Sequence, residues 1–114
     1  MPLSRDEINP VTDRRLQEID IPEWGGSVCL RIMTCNEKDI WEHQFHGKKV
    51  TPTIIRAALV AKCLCDENGV RLYTDQQTDE LGAKSCVVLD RLFDICMKSN
   101  RFSKEDVDEL AKNS

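Results

Sequence analysis

Residues 27–34 read SVCLRIMT, and in this stretch Val28, Leu30 and Ile32 alternate with Cys29, Arg31 and Met33. A period of two, with β-branched residues in the apolar set, predicts a short strand over 27–33. Thr34 follows, with Glu37 three residues on. That is capping-box spacing, and it predicts a helix over 35–46 with Ile40, Trp41, Gln44 and Phe45 along one face. Gly47 and the Lys48-Lys49 pair end it. Thr51-Pro52 then sets an N-cap before a proline at the first helical position, where a missing N–H costs nothing. Ile54, Ile55, Ala58, Leu59, Ala61 and Leu64 give this next helix a broad apolar surface and predict that it is the most buried. Asn68-Gly69 breaks the helical period and leaves two readings open. Either the helix ends with Gly69 beyond its C-terminus, or residues near 63–66 and 70–73 form a small hairpin that returns Leu72 and Tyr73 to the core.

Thr74 with Gln77 opens a further short helix that closes or bends near Leu81-Gly82. After Ser85, Val88, Leu89, Leu92, Phe93 and Cys96 recur at three- and four-residue steps, a strong helical signal. Ser103 caps a last helix, with Asp106 in the capping-box position and Phe102 and Val107 placed as a hydrophobic staple. Residues 1–20 hold few apolar side chains. Ser4 and Glu7 make another capping box, but Pro10 cuts short any helix they start. This segment reads as a flexible N-terminal arm, and residues 21–114 as one compact domain. The fold class expected is α-rich: mainly α, or α+β if the strand or hairpin element near 27–33 and 63–73 counts as a sheet.

IPEWGG, residues 21–26, places Trp24 beside two glycines. Trp24 either packs next to the first strand, with Gly25-Gly26 freeing the backbone for the turn, or stands exposed as an anchor for a partner.

Composition narrows the function. The chain has 114 residues, enough for one modest core, and a net charge of −4. A pI near 5.2 gives no basic face for nucleic acid. The first twenty residues lack the apolar run of a secretory signal. The most apolar stretch, 54–65, carries Arg56 and Lys62 and is too short to span a bilayer. The expectation is a cytosolic protein that binds neither nucleic acid nor membrane. Six cysteines in such a compartment read as free thiols among aliphatic neighbours.

Candidate chemistry is thin. His43-x-x-His46 and Cys63-x-Cys65 add up to a zinc-like ligand count. The cysteine gap is too short, however, and on a helix the two sulfurs would point apart. Asp66-Glu67-Asn68-Gly69 resembles the start of a calcium loop, but its glycine comes two positions early and no glutamate stands at the twelfth. No nucleophile elbow, phosphate loop or H-E-x-x-H is present. A Cys/His enzyme on Cys63, Cys65 and the histidines remains a rival. The preferred expectation is no catalysis, no cofactor and no metal, with more apolar helical surface than 114 residues readily hide.

PEWGGSVCLRIMT, the following helix, AALVAKCLCDENGVRLYTD, Leu81, Lys84 and LDRLFDICMKSN together resemble the tail assembly chaperones of bacteriophages with long non-contractile tails. The resemblance runs from about Ile21 to Ser114 and rests on order and spacing, not on a catalytic motif. It implies a non-enzymatic protein of the host cytoplasm that coats the helical tape measure protein and keeps it soluble. It also implies help in recruiting the major tail tube protein, and absence from the finished virion. Further implied partners are other copies of the chain, in extended oligomers, and a longer frameshifted form. Lys112-Asn113 is compatible with an A-rich slippery run in the gene. The contact residues expected are Trp24, Trp41, Phe45, Phe102 and Leu110. The competing binding role is a structural adaptor or head–tail connector retained in the virion.

Overall fold

Helix α3, Pro52–Cys63, is the element around which the others are arranged. The computed structural model describes residues 1–103, 105, 106, 108 and 109. Thr51 caps α3 by accepting from the Ile54 N–H, and Pro52 occupies its first turn. Ile55 and every residue from Ala57 to Cys63 are buried. A helix apolar on all sides must be enclosed, and the remaining elements do this. Helices α2 (Cys35–His43), α4 (Thr78–Gly82) and α5 (Cys86–Ser99) pack on it. A three-stranded antiparallel sheet of order β1-β2-β3 joins them through Ile21, Leu30 and Leu64.

The sheet consists of β1 (Leu16–Ile21), β2 (Gly26–Arg31) and β3 (Leu64–Cys65). Strand β2 covers most of the stretch expected from its alternation. Strand β1 was not expected, because the sequence reading placed residues 1–20 in an arm. The arm boundary therefore falls inside a strand: Leu16 pairs with Arg31, Ile19 with Val28 and Ile21 with Gly26. What conceals β1 is its composition. Only Ile21 is buried and Ile19 half-buried, with polar residues between them. Before β1, α1 (Arg5–Ile8) forms with the Ser4–Glu7 capping box intact and buries none of its residues.

The connection from β1 to β2 is a tight 3₁₀ turn over Pro22–Trp24, closed by Gly25 at φ +77°. That left-handed backbone is readily taken only by glycine. The second open reading resolves as a hairpin. Cys65 bridges Arg71, and the intervening loop is a turn from Asp66 with Gly69 at φ +82°. The Asp66 carboxylate accepts from the N–H groups of Asn68 (2.8 Å) and Val70 (3.0 Å) and fixes this loop. The hairpin returns Tyr73 to the core but leaves Leu72 51% exposed, contrary to expectation. The outward turn of Leu72 is set by Arg71, whose side chain is drawn inward to the Ala61 carbonyl and to Asp75.

The helix expected over 35–46 ends at His43, with Thr34 and Glu37 forming the expected capping box. Ile40 is 54% exposed, so its inner face is narrower than the sequence suggested. The opening at Thr74 is a 3₁₀ turn, Asp75–Gln77, before α4. Helix α5 buries Val88, Leu89, Leu92, Cys96 and Met97. It ends in a Schellman turn: Phe102 N–H donates to the Met97 carbonyl at 2.9 Å, Arg101 N–H to Lys98 at 3.2 Å, and Arg101 takes φ +60°. Ser103 and Asp106 form the expected capping box beyond it. The other half of the hydrophobic staple, Val107, lies outside the described residues.

Polar groups lock these layers. Asn100 accepts from the Met33 N–H (2.8 Å) and donates to the Cys96 carbonyl (2.8 Å) and the Cys63 sulfur (3.5 Å). It thereby ties the end of β2 to α3 and α5. Arg14 and Arg31 both pair with Glu37, and Arg31 also donates to the Gly69 carbonyl at 2.9 Å. Lys62 is 2% exposed, and its ammonium meets Asp75 at 3.0 Å, where Arg71 also pairs at 2.9 Å.

Burial alone would raise the Asp75 carboxyl, but the hydrogen bonds from Lys62 and Arg71 outweigh it and hold it below the ordinary carboxylate range. A depressed carboxylate stabilises the fold at pH values above its unfolded value, and that contribution is lost as pH falls through the folded one. Acid unfolding followed by circular dichroism should therefore steepen below about pH 4, and Asp75→Asn should flatten that limb. At neutral pH Asp75→Asn should cost about 2–3 kcal/mol in urea unfolding, because it strands a buried ammonium while Asp75 itself stays partly solvated. Trp41, fully buried, should cost about 3–5 kcal/mol as Trp41→Ala.

Candidate interaction surfaces

The five residues expected to meet partners fall into three different settings. Trp41 and Phe45 are buried, 0% and 2% exposed, so they are core residues and not surface anchors. Their helix carries its apolar face inward, and the rings meet edge-on at 5.8 Å. Phe102 is half-buried. The Schellman turn swings it back so that its ring lies 5.0 Å from Trp41, with the Lys38 ammonium 5.0 Å above it. Trp24 is half-buried against the core at the β1–β2 turn. Neighbouring Glu23 pairs with Arg91 of α5 and pins that turn. Leu110 lies outside the described residues.

Phe102 also borders a polar hollow of about 300 Å³ with Lys38, Glu42, His43, His46, Asp106 and Glu109. The two imidazoles stack at 5.5 Å, and His43 Nδ1 lies 2.8 Å from the Asp39 carbonyl. Cys63 and Cys65 are buried elsewhere, at the end of α3 and in β3. Among the described residues no group of three or more His, Cys, Asp or Glu side chains could hold a metal.

The thiols are all free. Cys96, donating to Cys63 and buried, is pushed well above the ordinary thiol range, while its acceptor Cys63 is held lower. Burial and the adjacent Cys29 raise Cys65. Buried thiols held above the ordinary range, as Cys65 and Cys96 are, make poor nucleophiles.

The surface apolar groups lie elsewhere. Ile40, Ile54, Val70, Leu72 and Val87 are each at least 40% exposed, as are Leu3, Ile8 and Val11 of the N-terminal segment. Ile54 was expected on the buried apolar surface of α3; it sits on the first turn and is 40% exposed. There it borders a groove of about 350 Å³ between α3 and α4, with Thr53, Ala57, Thr78, Asp79, Gly82 and Ala83. Small side chains let the two helices approach closely and leave the groove shallow and open. At Gly82 an added Cβ would meet Thr53 Cγ2 only at 3.6 Å. No periodicity argument finds this groove. Its small residues looked like ordinary helix formers, and only the pairing of α3 with α4 brings them together. No helix among the described residues is long and apolar enough to cross a membrane.

This arrangement, a short antiparallel sheet packed on a bundle around one buried helix, has a counterpart among solved structures. The chain is similar to the bacteriophage HK97 tail assembly chaperone, with a TM-score of 0.58 at 18% identity, over 80% of this chain and 86% of that one. At this identity the likeness is one of fold. No protein-family model matches the sequence, and no curated protein matches it at a significant level.

The half-buried setting of Trp24 sets its expected cost. Trp24→Ala should destabilise the chain by about 2 kcal/mol in denaturant unfolding, roughly half the penalty of a full core tryptophan. An unchanged midpoint would instead mark Trp24 as an anchor for a partner.

Proposed function

We propose that this chain is a phage tail assembly chaperone. It binds the helical tape measure protein in the host cytoplasm, keeps it soluble, and helps bring tail tube subunits to it. It does so as an oligomer together with a longer frameshifted form, and it leaves before the virion is complete. The observation that carries this reading is the shared fold with the HK97 tail assembly chaperone over four-fifths of the chain.

The surface supports the same reading. A tape measure helix presents an apolar stripe that would aggregate before the tube encloses it. The α3–α4 groove, rimmed by Ile54 and floored by Ala57 and Gly82, offers a helix-in-groove seat. A seat this small binds weakly. Many copies along one long helix supply the hold, and the weakness of each contact permits displacement. The net charge of −4 keeps such a coated complex apart from its neighbours. The work is reversible binding, with no bond made or broken.

Co-expression with the tape measure protein encoded by the same phage tests this. The tape measure should appear in the soluble fraction only when this chain is present, and the two should co-purify. Ala83→Trp should fill the groove and abolish that rescue, while shifting the stability of the free chain by no more than about 0.5 kcal/mol, since Ala83 is exposed. A tape measure equally soluble without the chain, or the chain recovered in purified virions, would overturn the proposal.

A further inference from the structure

The outer edge of β1 is a second surface, chemically unlike the groove, and its hydrogen-bonding phase can be worked out. Asp66 N–H donates to the Val70 carbonyl at 2.9 Å and Leu72 N–H to the Leu64 carbonyl at 3.1 Å, flanking the Cys65–Arg71 pair. The N–H and C=O of Cys65 itself therefore point the other way, toward its β2 partner Cys29. Hydrogen-bonded and non-bonded pairs alternate along antiparallel strands. Gln17, Ile19 and Ile21 thus exchange bonds with Leu30, Val28 and Gly26. Leu16, Glu18 and Asp20 aim their backbone groups outward, where no backbone partner meets them among the described residues.

The side chains beside this open edge are sorted by face. Ile19 and Ile21 lie on the core face of β1, the face from which Gln17 reaches Ser99 of α5. There, half-buried Ile95 lies one helical turn from Arg91, which pairs with Glu23, and one turn from Ser99, whose Oγ is 3.3 Å from Gln17 Oε1. Glu18 and Asp20 occupy the opposite face as exposed carboxylates, with Leu16 at its start and Glu18 accepting from Ser27. A strand laid along β1 would thus find apolar cover on one side and negative charge on the other.

We propose that the β1 edge accepts an added strand from a partner protein, an extended segment alternating apolar and basic residues. Its apolar side chains cover Ile19 and Ile95, and its lysines or arginines lie across from Glu18 and Asp20. The geometry disfavours a second copy of β1 as the occupant: the two-fold register centred on this strand would set Glu18 against Glu18. This site is independent of the tail-assembly reading, since it uses a different surface and an extended rather than helical ligand.

The test uses the full chain, isotope-labelled, and two eight-residue peptides, one alternating valine with lysine and one valine with glutamate. The lysine peptide should bind and slow amide exchange at Leu16, Glu18 and Asp20, leaving Gln17 and Ile19 unchanged. The glutamate peptide should bind at least about fivefold more weakly, the effect of two cross-strand charge pairs. Glu18→Pro should abolish binding without unfolding the sheet, because the N–H it removes points outward. Glu18→Lys with Asp20→Lys should reverse the peptide preference. Equal binding of both peptides, unchanged exchange at the three edge amides, wild-type binding by a folded Glu18→Pro, or edge protection that instead follows chain concentration would each overturn the proposal.

Discussion

A single buried helix dictates the architecture. From Ala57 to Cys63, α3 has no solvent-facing side, and within that run sits Lys62, whose charge must be paired. An unpaired ammonium at that depth would cost several kcal/mol. The hairpin after α3 meets this demand. Its tight turn at Asp66–Gly69 reverses the chain, so that Arg71 caps the Ala61 carbonyl and Asp75 reaches Lys62. The short sheet is therefore tied to the helical core through charge as well as through packing.

Much of the scaffold was legible because it is written in local chemistry. The Thr34–Glu37 and Ser4–Glu7 boxes, the Thr51-Pro52 start and the apolar recurrence in α5 act within one or two turns, and each appears where it was expected. What depends on distant partners was not legible. Strand β1 is an edge strand whose outer face is polar, so its alternation is faint. Trp41 and Phe45 carry no sequence mark distinguishing a core aromatic from a binding anchor. Their burial follows from α2 lying against α3, with Phe102 folded back over them. Ile40 and Leu72 went the other way, apolar in sequence yet more than half exposed.

The candidate surfaces follow the same division. Aromatic residues were the anchors expected, yet Trp41 and Phe45 build the centre, and Phe102 folds over Trp41 to hold α2 against the C-terminal turn. The surfaces left for partners are made of small and aliphatic groups: the α3–α4 groove and the scattered exposed isoleucines and valines. Such surfaces suit weak, repeated association better than a few tight anchors do. That is what the proposed tail-assembly role would ask of them.

The sheet also has a handed topology of use. One flank of β3 is met by its own returning chain at Arg71, so among the described residues the β1 flank is the open one. A molecule with a single open margin can receive a strand on that side alone. A strand received there becomes the new margin in its turn, so any extension of this sheet runs outward from β1.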